Sequence, residues 1–235
     1  MACSSIGKDS VFSRRGDGFD SHAGYFNAKH GFRYGKAGIM IVCIDVGYGE
    51  ENARAAGVAF NDWSDSRPSW ETVIDIGEVQ PYVPGQFYRR ELPCVMAVLQ
   101  AFTDANSNIK PSLVIVDGYV WLDGNVDENE NNEQNNEQNN EQRSENQSHR
   151  KRGLGAYVYD SLQPSVPVVG VAKNKFQYAN CAVEVCRGES RRPLFVTAAG
   201  IDSALAGKYI SQMHGKHRIP TMLARVDRLS RSAAD

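Results

Sequence analysis

The chain has five cysteines, Cys3, Cys43, Cys94, Cys181 and Cys186, and no CxxC pair among them. Neither a zinc ribbon nor a dithiol redox site is suggested. The odd count fits a reducing, cytoplasmic setting better than a disulfide scaffold. Cys43 and Cys94 sit among apolar neighbours, which predicts small buried hydrophobes. No apolar run reaches the roughly 18 residues of a membrane-spanning helix. Residues 1–18 lack the basic start, apolar stretch and cleavage pattern of a secretory signal. Net charge is also scarce: 26 basic and 28 acidic residues leave −2, with a pI of about 6.2. Taken as an average, that counts against a strongly basic nucleic-acid binder. Apolar residues are not scarce. At 41% hydrophobic over 235 residues the chain can bury a sizeable core, enough for one larger domain or two small ones.

Two stretches read as lying outside the fold. Residues 1–38 are rich in Gly, Ser, Lys, Arg and Asp, show no sustained period and read as a flexible N-terminal leader. The tract from Asn125 to Arg152 repeats the unit NNEQ and has almost no apolar side chains. Such a segment cannot offset the entropy of ordering its backbone, so it reads as a disordered polar insert in a surface loop. A polar helical spike is the alternative, because Glu and Gln are fair helix formers. The insert holds seven acidic and four basic residues, so the rest of the chain carries +1 rather than −2. The near-neutral average therefore does not argue against nucleic acid, and Arg89–Arg90, Arg191–Arg192 and the basic residues between Lys208 and Arg231 remain available to meet phosphate.

The remainder, residues 39–235, alternates strands and helices and reads as one domain. Ile39–Val46 (IMIVCIDV) is a continuous β-branched apolar run, the pattern of a buried strand. Ala53–Phe60 and Trp70–Val79 follow at short intervals, which predicts an antiparallel meander. Phe87–Phe102 carries Leu92, Val95, Met96, Leu99 and Phe102 at helical spacing, with Pro93 near its start. Leu113–Val116 and Val166–Ala172 are further buried strands, and Ala182–Val185 and Leu194–Thr197 are shorter ones. Helices are expected over Leu154–Leu162, Asp202–His214 and Ile219–Arg231. The predicted class is α/β, a mixed sheet flanked by helices.

Three carboxylates stand out. Asp45 ends the first apolar strand, Asp117 ends LVIV, and Glu91 lies early on the helix between them. Ligands of α/β sheets gather at strand ends. Three carboxylates brought together repel one another unless a cation sits among them. Hard oxygen donors at that density suit magnesium or manganese, and such a site suits phosphodiester hydrolysis by metal-assisted in-line displacement. The ordinary alternative is that the aspartates cap turns and Glu91 answers the helix dipole. Lys173 ends VPVVGVAK, from which an ammonium could hold a phosphate or stabilise a leaving group; a solvated strand-end lysine is the plainer reading. Pro81, Tyr82, Val83, Pro84 and Gly85 form a stiff loop. It could wedge apolar side chains between bases, or simply connect strand to helix with Tyr82 in the core.

Several motifs in order resemble the endonuclease V (deoxyinosine 3′ endonuclease) family. PYVPGQFYRRELP resembles its PYxPG…FRExP signature, VDG at Val116–Gly118 its second acidic motif, and VVGVAK at Val168–Lys173 its IGVAK segment. DSALAGKYISQMHGKHRIPTMLARVD resembles its closing helices and basic turn. The resemblance spans roughly Ile39 to Arg231, insert excluded. It implies a ribonuclease H-like fold and a magnesium-dependent nuclease, with manganese able to substitute. The substrate would be DNA with a deaminated purine such as inosine, nicked at the second phosphodiester on the 3′ side to leave 3′-hydroxyl and 5′-phosphate ends. Some members prefer inosine in RNA.

By motif, Asp45, Glu91 and Asp117 would be metal ligands and Lys173 the catalytic-site lysine. Pro81, Tyr82, Val83 and Pro84 would be the strand-separating wedge. Gly85 and Gly118 would line the base pocket, where little side-chain bulk fits. The flipped base costs least to extrude where it pairs weakly.

Two departures stand out. The family usually has VDGxGxxHPRR, whereas this chain has VDGYVWLDG, with Asp123 in the histidine's place. The family's GHR near the last strand is replaced by VTAAGIDSAL, where Asp202 either takes over a site role or caps the helix. The competing function is a non-catalytic protein that binds inosine or branched DNA, and a third is an inosine-specific ribonuclease. A soluble, cytoplasmic protein acting as a monomer is expected, since one nick needs one site.

Overall fold

A computed structural model describes residues 39–49, 52–77, 83, 85–107, 109–122, 150–162 and 166–232. The leader 1–38, most of the polar insert, and Pro81, Tyr82, Pro84 and Asp123 of the expected site lie outside these.

The apolar runs form a seven-stranded mixed sheet. Its strands are β1 (Ile41–Tyr48), β2 (Ala53–Phe60), β3 (Trp70–Ile76), β4 (Leu113–Asp117), β5 (Val168–Ala172), β6 (Val183–Val185) and β7 (Leu194–Ala199). Their order is β3-β2-β1-β4-β5-β7-β6. β1, β2 and β3 are the expected antiparallel meander, with Asp45 opposite Ala56 and Ala56 opposite Val73. β4 then pairs parallel to β1, and β5 parallel to β4. β1, β4 and β5 therefore all point the same way, and their carboxyl ends form one edge of the sheet. Their inner residues are buried on both faces, which is why they read as unbroken apolar runs rather than alternating ones. β3 is the contrast: its residues alternate between half-buried and exposed, as fits an edge strand.

Four helices cover the sheet: α1 (Phe87–Ala105), α2 (Leu154–Ser161), α3 (Ser203–Gln212) and α4 (Thr221–Arg231). α1 buries Glu91, Cys94, Val95, Val98, Leu99 and Phe102, a stripe at 3.6-residue spacing. With α2 it closes the larger core, against Val42, Ile44, Val114, Val116 and Val168. Pro93 is accommodated in the first two turns of α1. The opposite face carries α3 over β6 and β7 and α4 over β1 and β2. Cys43 and Cys94 are buried thiols, as expected. The described residues on either side of the polar insert are pinned to one another. Trp121 and Arg152 pair antiparallel, Leu122 donates to the Lys151 carbonyl, and Gly153 donates to that of Val120. No described helix is long and apolar enough to cross a membrane.

Candidate active site

The sheet edge gathers two of the three predicted carboxylates, Asp45 and Asp117, and adds one that sequence reasoning did not assign; Glu91, on α1, is not among the grouped carboxylates but feels their charge. Asp45 lies in β1 and is 9% exposed; Asp117 is the last residue of β4. Because β1 and β4 run parallel with Ile44 opposite Val116, the two aspartates follow at matching positions on adjacent strands. Asp227 comes from the last helix. One carboxylate oxygen from each of Asp45, Asp117 and Asp227 lies within 4.8 Å of the others. The signal for Asp227 was its place between Val226 and Ser230, on the stripe of α4 that packs against the sheet. Acidic residues on a buried stripe are costly unless something pairs with them.

The remaining groups define the electrostatics. Lys173, just past β5, donates to Asp117 Oδ2 at 2.9 Å and to Asp227 Oδ1 at 2.6 Å. Burial opposes the charge on its ammonium, but these hydrogen bonds and the two carboxylates outweigh that and raise its pKa. Asp45 accepts from the Ser230 hydroxyl, itself buried. The end of α4 can come this close because Gly47 has no side chain: a Cβ there would lie 2.2 Å from the Ser230 carbonyl oxygen. Burial raises the Asp45 pKa; the Ser230 hydrogen bond pulls it back and the Asp117 charge pushes it further up.

Glu91 is 7% exposed, and its pKa is pushed up to about 8, first by burial and then by the charges of Asp45 and Asp117. The basic group that acts on it, Arg90, lies over the Tyr48 ring, 3.8 Å from its centre. A pocket opens beside these groups, with Asp45, Asp117, Lys173 and Asp227 at a wall made by Ile44, Val116, Val171 and the α4 residues Leu223 and Val226.

The donor set fits a hard divalent cation. Asp45, Asp117 and Asp227 meet around the Lys173 ammonium, Asp227 also accepts from Arg231 at 2.9 Å, and the two buried carboxylates, Asp45 and Glu91, are held toward the protonated form by burial and mutual repulsion. A cation among them would remove that strain, and an all-oxygen set favours magnesium or manganese.

The other expected residues separate from this cluster. Asp202 is the N-cap of α3, accepting from the Leu205 amide at 2.9 Å, and is not among the grouped carboxylates. Val83 is exposed at 46%. Gly85 and Gly118 have φ of +78° and +107°, and a Cβ at either would meet nothing within 4 Å. The left-handed backbone at both positions favours glycine.

Comparison with known proteins follows the same lines. The endonuclease V family model matches residues 32–121, a stretch that holds Asp45, Glu91 and Asp117. Human endonuclease V superposes with a TM-score of 0.59 at 18% identity, covering 83% of this chain and 84% of that one. The resemblance to endonuclease V holds. The endonuclease V of Ciona intestinalis, in complex with a DNA containing an inosine followed by a ribo-adenosine, gives 0.61 at 16% identity over 82% and 84% of the two chains. That of Bacillus subtilis gives 0.56 at 14% over 81% and 78%. At these identities the structural likeness establishes the fold alone, a mixed α/β sheet flanked by helices. No curated protein sequence matches the chain.

Proposed function

We propose that this protein is a metal-dependent endonuclease that nicks nucleic acid at the second phosphodiester 3′ of a deaminated purine such as inosine, in DNA repair or on inosine-containing RNA. The observation that carries the reading is the meeting of Asp45, Asp117 and Asp227 within 4.8 Å, with Lys173 bonded to two of them. The family match and the likeness to endonuclease V structures holding inosine-containing DNA support it. Asp45, Asp117, Asp227 and Glu91 would hold magnesium or manganese. Such a cation polarises a phosphoryl oxygen and acidifies water.

The side chains divide the remaining work. The Lys173 ammonium, kept protonated by its two carboxylate partners, supplies a fixed positive charge for a phosphate oxygen or the departing 3′-oxygen. Ser230 holds Asp45 in one orientation by occupying one of its oxygens. The Val83 side chain stands in solvent next to the left-handed turn at Gly85, where it could part the strands around the lesion. Products would carry 3′-hydroxyl and 5′-phosphate ends. The test is incubation of matched DNA and RNA strands bearing a single inosine with protein and magnesium, against an Asp45→Ala control. Nicking one linkage beyond the base's 3′ neighbour, lost in the control, is the expected result. Tight binding without nicking would instead make the protein a recognition module.

A further inference from the structure

Among the described residues a dense polar network outside the acidic cleft joins two loops, residues 186–193 between β6 and β7 and residues 213–220 between α3 and α4. Arg187 is 6% exposed and donates to the carbonyls of Ser211, Met213, Gly215, His217 and Arg218. Arg218 returns the favour, donating to the carbonyls of Arg192 at 2.9 Å, Pro193 at 2.8 Å and Lys173. Each loop is thus held by an arginine of the other, and Arg218 fastens both to the backbone of the lysine whose side chain stands in the acidic cluster.

Both guanidinium groups spend their donors on main-chain oxygens. Neither they nor Arg191, Arg192 or Lys216 form an ion pair among the described residues. Arg191, Arg192, Lys216 and His217 are exposed. The two loops contain a single acidic residue, Glu189. The result is a rigid, uncompensated positive surface that begins at the active-site lysine. A polyanion gains most from such a surface, because each phosphate it neutralises releases condensed counterions. Loops already fixed by Arg187 and Arg218 lose little further freedom on binding.

We propose that this two-loop surface binds the phosphate backbone of the substrate on one flank of the cleaved bond, with Arg191, Arg192 and Lys216 as phosphate contacts and Arg187 as the buried brace. The proposal rests on the nuclease reading above and names where its substrate lies.

The experiment measures the affinity of the full-length protein for a fluorescent inosine-containing duplex in EDTA, across a range of salt. Wild type, Arg191→Gln, Lys216→Gln and their double variant are compared with Lys110→Gln, at the amino-terminal end of β4. Each platform variant is expected to lower the slope of log K against log salt by about 0.9, and the double variant by about twice that. The loss should be equal for a duplex without inosine, since phosphate contacts carry no base information. Platform variants with the wild-type slope, or with no more effect than Lys110→Gln, would overturn the proposal, as would a wild-type slope near zero. If the wild type binds with a steep slope yet nicks no inosine strand in magnesium, the nuclease reading fails while the slopes still decide the platform.

Discussion

Two regions of this molecule bury charge, and they treat it in opposite ways. Arg187 keeps a guanidinium under the surface with no ion-pair partner among the described residues, but it donates to five carbonyl oxygens. At the acidic cleft, Asp45 and Glu91 are equally buried, yet Glu91 is driven up to about 8 and Asp45 is raised in the same direction. Burial works against the charge at both places, but carbonyl oxygens meet the hydrogen-bonding needs of the guanidinium, whereas the buried carboxylates face further negative charge. A charge that the fold fully solvates serves the fold; one left short of a counter-charge waits for a ligand. The same chain therefore separates a structural ion from a functional one by the partners it supplies.

The sharpest way to break this contrast is substitution on each side. Asp45→Asn should cut nicking by on the order of 10³-fold, the scale of losing a principal electrostatic group. It should also raise the thermal midpoint of the metal-free protein, because it removes a buried anion from a repulsive cluster. Arg187→Met should do the reverse for stability. Stranding five carbonyls is expected to cost about 3 kcal/mol, read by denaturant unfolding. If Asp45→Asn destabilised the metal-free protein as much as Arg187→Met, the distinction would collapse.

The next effect is one of pH. The folded-state pKa of Glu91 is raised from 4.5 to about 8, so the native state binds a proton that the unfolded chain has given up. Stability of the metal-free protein should fall as pH rises through the interval from 4.5 to about 8. Glu91→Gln should flatten that fall, and saturating magnesium should do so in the wild type. A smaller effect is expected at Asp202. Replacing this N-cap by alanine should cost about 1 kcal/mol of stability and leave nicking unchanged. Loss of activity with intact stability would instead restore Asp202 to the active site.

The strands and helices were largely legible in the sequence because their signals are local. Ala53–Phe60 has the boundaries expected of it, and the continuous apolar runs of β1, β4 and β5 declared strands buried on both faces. Asp45 and Asp117 were legible for the same reason, as polar residues closing apolar strands, and Glu91 as the acidic member of an otherwise apolar stripe. Asp227 was not, because its role depends on a helix near the end of the chain folding back across β1, a contact spanning 182 residues between Asp45 and Asp227 that no local pattern encodes. Arg187 was invisible for a related reason. Its partners are main-chain carbonyls, and the sequence gives no sign of which carbonyls a loop leaves open. Gly85 and Gly118 take a left-handed backbone that by itself favours glycine, a requirement the sequence motif alone did not reveal.

The measurement that tests the central claim most directly is isothermal titration of magnesium or manganese into the wild type and Asp227→Asn, paired with single-turnover nicking of an inosine duplex. The acidic cluster as a cation site predicts that the wild type binds the ion and nicks, and that Asp227→Asn loses both while remaining folded. Wild-type ion affinity and nicking retained in Asp227→Asn would contradict it.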